Sequence, residues 1–218
     1  MKISIADEVY SISPRTALGV LSYRATVVPS SQELVELFED IVTTLSQEYS
    51  IEKIAKNPHI VSTRQAYKAL GKSPQEYRNA AESMLRRIVK GKGLYHINNI
   101  VDVNNLISIT SGYSIGSYDI KQLKGNIELR RAESDSHYEG IGKDNINIEY
   151  LPTLYDESGA FGNPTSDSRR AMIQSGDRDI ITVIYSFDGA EELNHWMEKF
   201  SLYLTNYCGV MKVEKWIV

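Results

Sequence analysis

Apolar residues recur at the spacing of an α-helix in several stretches of the chain, and these stretches predict its helices. In the first, Leu34 and Phe38 share one face after a capping box that opens at Ser30. A second capping box opens at Ser73, and the helix expected after it ends at Gly91. The predicted helices cover residues 30–47, 64–70, 73–90, 98–111 and 190–203.

Short runs of β-branched and aromatic residues, separated by glycine, asparagine and aspartate, predict the strands. The strands follow the helices in blocks rather than alternating with them, which indicates an α+β fold. We expect a single domain over residues 1–218, with helices packed on mixed or antiparallel sheets. The predicted strands cover residues 2–5, 17–28, 114–120, 126–131, 147–150, 154–156, 179–187 and 207–217.

Charge is unevenly distributed along the chain. The net charge of −4 argues against a protein that binds nucleic acid over its whole surface, and DNA is not expected as a partner. The stretch between Ser31 and Glu52 has six acidic and no basic side chains, whereas the stretch between Arg64 and Lys92 has eight basic and two acidic ones. The basic stretch is either a solvated helix face or a local surface that contacts phosphate.

The remaining composition narrows the class of protein. Cys208 is the single cysteine, which rules out an internal disulfide and favours a reducing compartment. No apolar run reaches the roughly 18 to 20 residues of a membrane helix, so we expect a cytoplasmic protein that does not bind membranes. The histidines lack the spacing of metal ligands, and we predict no metal and no cofactor. They are His59, His96, His137 and His195.

Two glycine-containing motifs have simple interpretations. The segment from Gly112 to Gly116 matches G-x-S-x-G, the nucleophile elbow of α/β-hydrolases. An elbow needs a strand before it and a helix after it, but the pattern here predicts the reverse, so we interpret the segment as a turn. Gly91-Lys92-Gly93 follows a basic helix and could offer N–H groups to a phosphate, or it could be a turn only.

A polar group interrupts the apolar segment 98–111. Asp102, Asn104 and Asn105 must find partners there or line a cavity. They could tie a helix to a neighbouring loop, or they could form the floor of a pocket that orients a ligand. Arginine pairs that could bind phosphate or pair with acids follow at Arg130-Arg131 and Arg169-Arg170.

Four segments, in this order and spacing, resemble the editing module of the bacterial phenylalanyl-tRNA synthetase β subunit. The resemblance runs from about Tyr67 to Asp188. Its strongest segments are GLYHIN at 93–98, VDVNN at 101–105, GSYD at 116–119 and IELRRA at 127–132.

The resemblance implies an α+β fold around a central pocket. In the synthetase, that pocket receives the 3′ end of a mischarged tRNA and hydrolyses tyrosine from it. This chain departs from the pattern at three positions. Gly116 stands where the pattern has the pocket histidine, and Tyr95 stands where it has an arginine. The acid expected near the end of the strand 179–187 is replaced by an apolar or hydroxyl residue around Thr182 or Val183.

On this basis we predict two groups of site residues. The pocket is built from Asp102, Asn105, Gly116, Tyr118 and Asp119, with Arg130 and Arg169 nearby. Within it, the candidates for a catalytic role are Asn105, Gly116 and Asp119. The residues predicted to contact RNA phosphates are Arg86, Arg87, Lys90 and Lys92.

Two hypotheses of function therefore remain open. In the first, the chain binds tRNA or aminoacyl-tRNA and hydrolyses mischarged aminoacyl-tRNA in trans, without being a complete synthetase. In the second, it is a non-catalytic module that holds a free amino acid or another small ligand. The basic segment favours the first hypothesis, while the acidic net charge and the missing histidine favour the second.

Overall fold

The computed structural model describes the backbone of all 218 residues and every side chain except that of Lys143. Within this description the chain forms seven α-helices. They are α1 (Asp7–Ile12), α2 (Gln32–Glu48), α3 (Ile51–Lys56), α4 (Pro58–Leu70), α5 (Ala80–Val89), α6 (Asn99–Ser111) and α7 (Leu193–Cys208).

Ten β-strands complete the fold. They are β1 (Ile3–Ile5), β2 (Ala17–Val27), β3 (Ser114–Asp119), β4 (Ile127–Arg131), β5 (His137–Gly140), β6 (Lys143–Asn147), β7 (Pro152–Asp156), β8 (Gly159–Gly162), β9 (Gly176–Ser186) and β10 (Val213–Ile217).

The strands form two four-stranded sheets and a hairpin. The first sheet has the order β1-β4-β7-β8, and it is mixed because β1 runs parallel to β4. The second sheet has the order β10-β2-β9-β3 and is antiparallel throughout. Strands β5 and β6 pair with each other. The predicted α+β class, with helices on mixed and antiparallel sheets, is confirmed.

The second sheet lies between the helices α2, α6 and α7 on one face and the first sheet on the other. Successive side chains of a strand point to opposite faces. In β2, Leu21 belongs to the apolar cluster shared with α2, α6 and α7, whereas its neighbour Val20 belongs to the cluster shared with the first sheet. In β9, Ile184 and Val183 divide in the same way. Both strands are therefore covered on both faces, which explains their continuous apolar sequence.

Two predicted capping boxes are wrong, and the structure shows why. Ser31, not Ser30, caps α2 by accepting a hydrogen bond from the Leu34 N–H at 3.3 Å. The Ser30 hydroxyl instead donates to Asp102 Oδ2 at 2.7 Å. After Ser73 the chain makes only a turn, and α5 begins at Ala80.

Other boundaries vary in their agreement with the prediction: α4 begins at Pro58 rather than at 64, α7 continues to Cys208, and the strand predicted at 207–217 begins only at Val213. Helix α6 matches the predicted 98–111 closely, and Gly112 ends it with φ 90°, a conformation in which glycine has no Cβ penalty. The strand predicted at 147–150 is wrong, because β6 ends at Asn147. The short elements α1, α3, β5 and β8 were not predicted. Among the described residues, no helix is long and apolar enough to cross a membrane.

Candidate functional site

Helix α5 and the loop after it carry a dense group of cations. Ala81, Leu85 and Ile88 bury one face of this helix, since they recur at helical spacing. Asn79 caps it by accepting a hydrogen bond from the Glu82 N–H at 2.9 Å. The two arginines of α5, Arg86 and Arg87, lie away from this apolar face and are half-buried.

One buried carboxylate orders three of the nearby arginines. The Glu82 side chain is completely buried, and its oxygens accept hydrogen bonds from Arg64 Nε at 2.8 Å and Nη2 at 2.5 Å. Arg86 Nε donates at 2.6 Å, and Arg78 Nε lies 3.6 Å away. A carboxylate removed from water needs such charged partners. Glu82 therefore fixes the positions of guanidinium groups that would otherwise move freely.

The cations surround a shallow cleft of about 230 Å³. Ser83 is the one uncharged residue at its wall. All four residues predicted to contact phosphate line this cleft together with Arg78. They are Arg86, Arg87, Lys90 and Lys92. The structure thus brings this predicted set together, and a role in RNA binding stays a prediction for it.

A second group of residues lies between the two sheets, around the ring of Tyr118. A Cβ atom added at Gly116 or at Gly162 would overlap the Tyr118 hydroxyl, so both glycines leave the space that the ring occupies. The hydroxyl donates to Asp167 Oδ1 at 2.7 Å and lies 2.8 Å from the Tyr185 hydroxyl. Tyr118 thus joins β3, β8 and β9 through one hydrogen-bonded phenol.

Two more tyrosines hold the loop that carries Asp167. The Tyr67 hydroxyl lies 2.8 Å from the Thr165 hydroxyl. The Tyr138 hydroxyl donates to the Ser166 carbonyl and accepts from Asn163 Nδ2 at 2.6 Å. We call Tyr67, Tyr118, Tyr138, Tyr185 and Asp167 the phenol cluster. Its hydroxyls satisfy one another and the loop, as buried polar groups require.

The carboxyl group of this cluster has an unusual pKa. Burial raises the pKa of Asp167 to about 7, although hydrogen bonds from the Tyr118 hydroxyl and the Asn163 backbone act in the opposite direction. Burial also raises the pKa of Tyr118 and Tyr185 well above the usual range. The phenols therefore stay neutral, and Asp167 can exist in either protonation state near neutral pH.

A larger cleft of about 470 Å³ lies beside the phenol cluster. Tyr138 belongs to both, and His137, Ser168, Arg169 and Arg170 also line the cleft. Arg170 is fixed by two hydrogen bonds to Asp156, at 2.9 and 3.1 Å. Predicted residue Arg169 is half exposed, with Asp144 at 3.5 Å and Glu139 at 3.9 Å. Arg169 thus has a guanidinium held only by surface carboxylates.

The surroundings of the two clefts are linked at the start of α5, where the helix is hydrogen-bonded to the loop of the phenol cluster. The Ala80 N–H at the first turn donates to the Pro164 carbonyl at 2.8 Å. Pro164 belongs to the loop between Asn163 and Ser168, which carries Asp167. The helix that presents the cations therefore begins against the loop that bounds the phenol cluster.

Other predicted pocket residues lie outside this arrangement. Asp102 is completely buried at the start of α6, where it accepts hydrogen bonds from Ser30, from His96 at 2.8 Å and from the Ile97 N–H at 3.0 Å. It ties the helix to a neighbouring loop, which is the simpler of the two interpretations given by its sequence.

Asp119 and Arg130 also have local partners. Asp119 accepts a hydrogen bond from the Lys121 N–H at 3.0 Å and lies 3.4 Å from Arg178 Nε. Arg130 donates to Glu128 at 2.5 Å on the surface of β4. Gly116 and Tyr118 are thus the predicted pocket residues that meet in the phenol cluster, and the ligand-binding roles of the others stay predictions.

Asn104, rather than the predicted Asn105, points into the fold. Asn105 is half-buried, whereas the buried Asn104 donates to the Ile115 carbonyl at 3.1 Å. Its Oδ1 accepts from Ser117 at 2.9 Å, and Ser117 continues at 2.7 Å to Thr182. The Thr182 hydroxyl lies 2.9 Å from that of Tyr23. A chain of hydrogen-bonded hydroxyls thus occupies the strand position where the synthetase pattern has an acid.

Asp167 is the residue that sequence reasoning missed. It lies in the stretch NPTSDS at 163–168, which the sequence marks only as a polar loop. Asn163 Oδ1 accepts from the N–H groups of Thr165 and Ser166 at 2.8 and 3.0 Å, a turn typical of asparagine. That turn was the available signal for an ordered loop.

Among the described side chains, no group of three or more His, Cys, Asp or Glu residues is arranged to hold a metal ion.

The G-x-S-x-G segment is a helix-to-strand turn, as its pattern predicted. Gly112 ends α6, and β3 begins at Ser114. The Ser114 side chain is buried, and its oxygen lies 3.5 Å from the Ala81 N–H, which donates to it. A nucleophile elbow needs the opposite order of elements and an exposed hydroxyl.

A family model described as the B3/4 domain matches residues 62–199. This range includes well over half of the chain. The chain belongs to the B3/4 domain family. This domain is found in the phenylalanyl-tRNA synthetase β subunit. The stretch that carries the sequence resemblance, residues 67–188, lies within the matched range.

A solved structure supports the same fold for this B3/4 protein. It is an N-terminal fragment of the phenylalanyl-tRNA synthetase β-subunit from Pyrococcus horikoshii, with a TM-score of 0.51 and 11% identity. The similarity covers 100% of this chain and 54% of that fragment. At this identity the comparison shows the fold alone. No curated protein matches the chain significantly.

The matched range contains α5, the basic cleft and the phenol cluster of the B3/4 domain. The second sheet, however, also needs strands from outside this range, since β2 and β10 form half of it. Both ends of the chain are thus part of the scaffold that positions the site.

Proposed function

We propose that this B3/4 protein binds aminoacyl-tRNA, with RNA phosphates on the basic cleft and the aminoacylated end near the phenol cluster. The observation that carries the proposal is the convergence of five cations on one cleft of a chain whose net charge is −4. Such a local concentration attracts phosphate where the rest of the surface does not. The family and fold, which occur in a tRNA synthetase subunit, support the same partner.

The proposal extends to hydrolysis of a mischarged aminoacyl ester in trans. Ester hydrolysis needs a positioned water and stabilisation of the developing oxyanion. Asp167 has a pKa of about 7, which suits proton transfer near neutral pH. Arg169 offers a cation at the mouth of the larger cleft. These features support a hydrolytic role for the cleft beside the phenol cluster.

Binding is tested by fluorescence anisotropy with labelled tRNA and a charge-reversal pair. Lys90→Glu with Lys92→Glu removes two cations that line the basic cleft. The matched control, Lys56→Glu with Lys121→Glu, changes the net charge equally at exposed positions elsewhere. We expect the first pair to weaken binding at least about tenfold and to lower the salt slope by about 2, and the control to have little effect.

Salt dependence gives an independent check on the same proposal. If about four cations contact phosphates, the affinity of the wild-type protein falls about 50- to 150-fold between about 50 and 200 mM salt. Equal losses in the two charge-reversal pairs would show a general charge effect and contradict the basic cleft. Binding that does not respond to salt would contradict a phosphate interface altogether.

Hydrolysis is tested by a deacylation panel of several mischarged tRNAs. The variants are Asp167→Asn, Asn105→Ala and Asp119→Ala, each compared with the wild type. We expect Asp167→Asn to lower the rate of deacylation at least about tenfold, because the amide cannot exchange a proton. An unchanged rate in this variant would remove Asp167 from the mechanism.

The alternative function is a non-catalytic module that holds a free amino acid. The observation that favours it is the space beside Gly116, which the Tyr118 ring fills instead of a catalytic side chain. An amino acid carboxylate could pair with Arg169 in the larger cleft. Calorimetric titration of free amino acids decides this case. Amino acid binding without salt-sensitive tRNA binding would replace the first proposal with the second.

A further inference from the structure

The loop after α5 exposes two large apolar side chains beside the basic cleft. Tyr95 is 73% exposed and Ile97 is 63% exposed, whereas most large apolar residues of this chain are buried. His96 lies between them. Large exposed apolar groups beside a binding surface need a reason, because leaving them in water has a cost.

Contacts on the inner side of the loop hold this arrangement in place. His96 Nδ1 lies 2.8 Å from Asp102 Oδ2, and His96 Nε2 lies 3.0 Å from Glu39 Oε1. The Ile97 N–H donates to Asp102 Oδ1 at 3.0 Å. Leu94 packs against the main apolar cluster. The exposure of Tyr95 is therefore a property of an anchored loop with several partners.

Arg87 connects Tyr95 to the basic cleft. Its guanidinium carbon lies 5.0 Å from the centre of the Tyr95 ring, and its Nε donates to the Gly93 carbonyl at 3.2 Å. The same Arg87 lines the cleft with Lys90 and Lys92. An exposed aromatic ring thus borders a surface suited to phosphates. Proteins that bind single-stranded nucleic acid combine these two features.

We propose that Tyr95 stacks against an unpaired base of the RNA whose phosphates lie on Arg87, Lys90 and Lys92. This inference rests on the proposed function and deepens it by naming unpaired nucleotides as the ligand of this surface. A duplex cannot satisfy it, because its bases are already stacked on one another. Glu39 and the acidic face of α2 lie on the other side of the loop and direct the phosphates toward α5.

The test compares a fluorescein-labelled oligoadenylate with a matched abasic oligomer, both titrated against the full chain. Tyr95→Ala is expected to weaken oligoadenylate binding about 5-fold or more and to leave the abasic oligomer unaffected, because only the base can stack. Tyr95→Phe keeps the ring and is expected to bind like the wild type. Tyr10→Ala removes another exposed tyrosine, from α1, and serves as the matched control.

The outcomes separate this inference from the function on which it rests. An equal loss for both oligomers, or no loss for either, would overturn stacking on Tyr95. If Lys90→Glu with Lys92→Glu also abolishes binding in that case, the RNA-binding proposal stands without stacking. If the wild-type protein binds neither tRNA nor oligoadenylate in a salt-sensitive manner, both proposals fall.

Discussion

Two carboxyl groups of the molecule have completely different neighbours: Glu82 is buried among the arginines beside the basic cleft, and Asp167 is half-buried in the phenol cluster. Three arginines lie within 4 Å of Glu82, whereas the hydroxyl of Tyr118 donates to Asp167. Cations favour the ionised form of a carboxyl group, and burial among neutral groups favours the protonated form. The carboxyl group of Glu82 therefore lies among charged partners, whereas that of Asp167 lies among neutral ones and has a pKa of about 7.

The difference also shows how each region is built. Arg64, Glu82 and Lys92 come from one stretch of the chain, since they lie on α4, on α5 and in the loop directly after α5. The phenol cluster joins α4, β3, β5, β9 and a loop, so that its members lie far apart in sequence. The cleft is a local product of α4 and α5, while the cluster depends on the packing of both sheets.

The largest expected effect tests Glu82, the carboxyl group that the arginines surround. Glu82→Gln keeps the shape but removes the charge that Arg64 and Arg86 share, leaving guanidinium groups without their buried partner. We expect the free energy of unfolding to fall by about 3–5 kcal/mol. Chemical denaturation measures it. Glu214→Gln, at an exposed ion pair with Lys212, is the control and should leave the free energy of unfolding almost unchanged.

The next effect tests the titrating acid. The folded-state pKa of Asp167 is raised to about 7 from an ordinary value near 4, so the folded protein retains a proton that the unfolded chain releases. Asp167 therefore lowers stability progressively as pH rises from about 4 to about 7, and little further above that range. Asp167→Asn should remove this dependence.

Denaturation of both proteins at several pH values measures the difference. The stability of Asp167→Asn relative to the wild type should increase by a few kcal/mol between about pH 4 and pH 8. A constant difference over this range would mean that Asp167 is ionised throughout. The contrast between the two carboxyl groups would then disappear.

The smallest effect tests the packing of the phenol cluster. In Gly116→Ala the new Cβ meets the Tyr118 hydroxyl, which Gly162 and the hydrogen bonds to Asp167 and Tyr185 hold in place. We expect a loss of about 1–3 kcal/mol of unfolding free energy. In a Tyr118→Leu background the same change should cost much less. Equal costs in the two backgrounds would show that the ring moves freely.

The sequence predicts those structural elements that local patterns of residues determine. Helix α6 and the cationic side of α5 follow from periodicity and from glycine stops at Gly112 and Gly91. Ser30 shows the limit, since its pattern fits a helix cap but its hydroxyl is bound by Asp102, which lies on another helix. At this position a hydrogen bond to a residue distant in sequence replaces the local helix cap, and no local pattern reveals such a partner.

The phenol cluster was predictable only in part, for the same reason. The resemblance pointed to Gly116 and Tyr118 but placed the missing acid around Thr182 or Val183 on a strand. The structure places a carboxyl from the loop residue Asp167 against Tyr118 instead. Asn104 and Asn105 differ by one helical step, about 100°, and apolar spacing did not resolve which of them turns inward.

The position of the Tyr118 ring between two glycines restricts which residues of the synthetase pattern can be introduced into this protein by substitution. The histidine that the synthetase pattern has at position 116 cannot coexist with the ring where it now lies, because even a methyl group would collide with it. Grafting that histidine alone would disrupt the sheet interface before it could add any chemistry. The two positions are epistatic: a working transplant must reshape 118 together with 116.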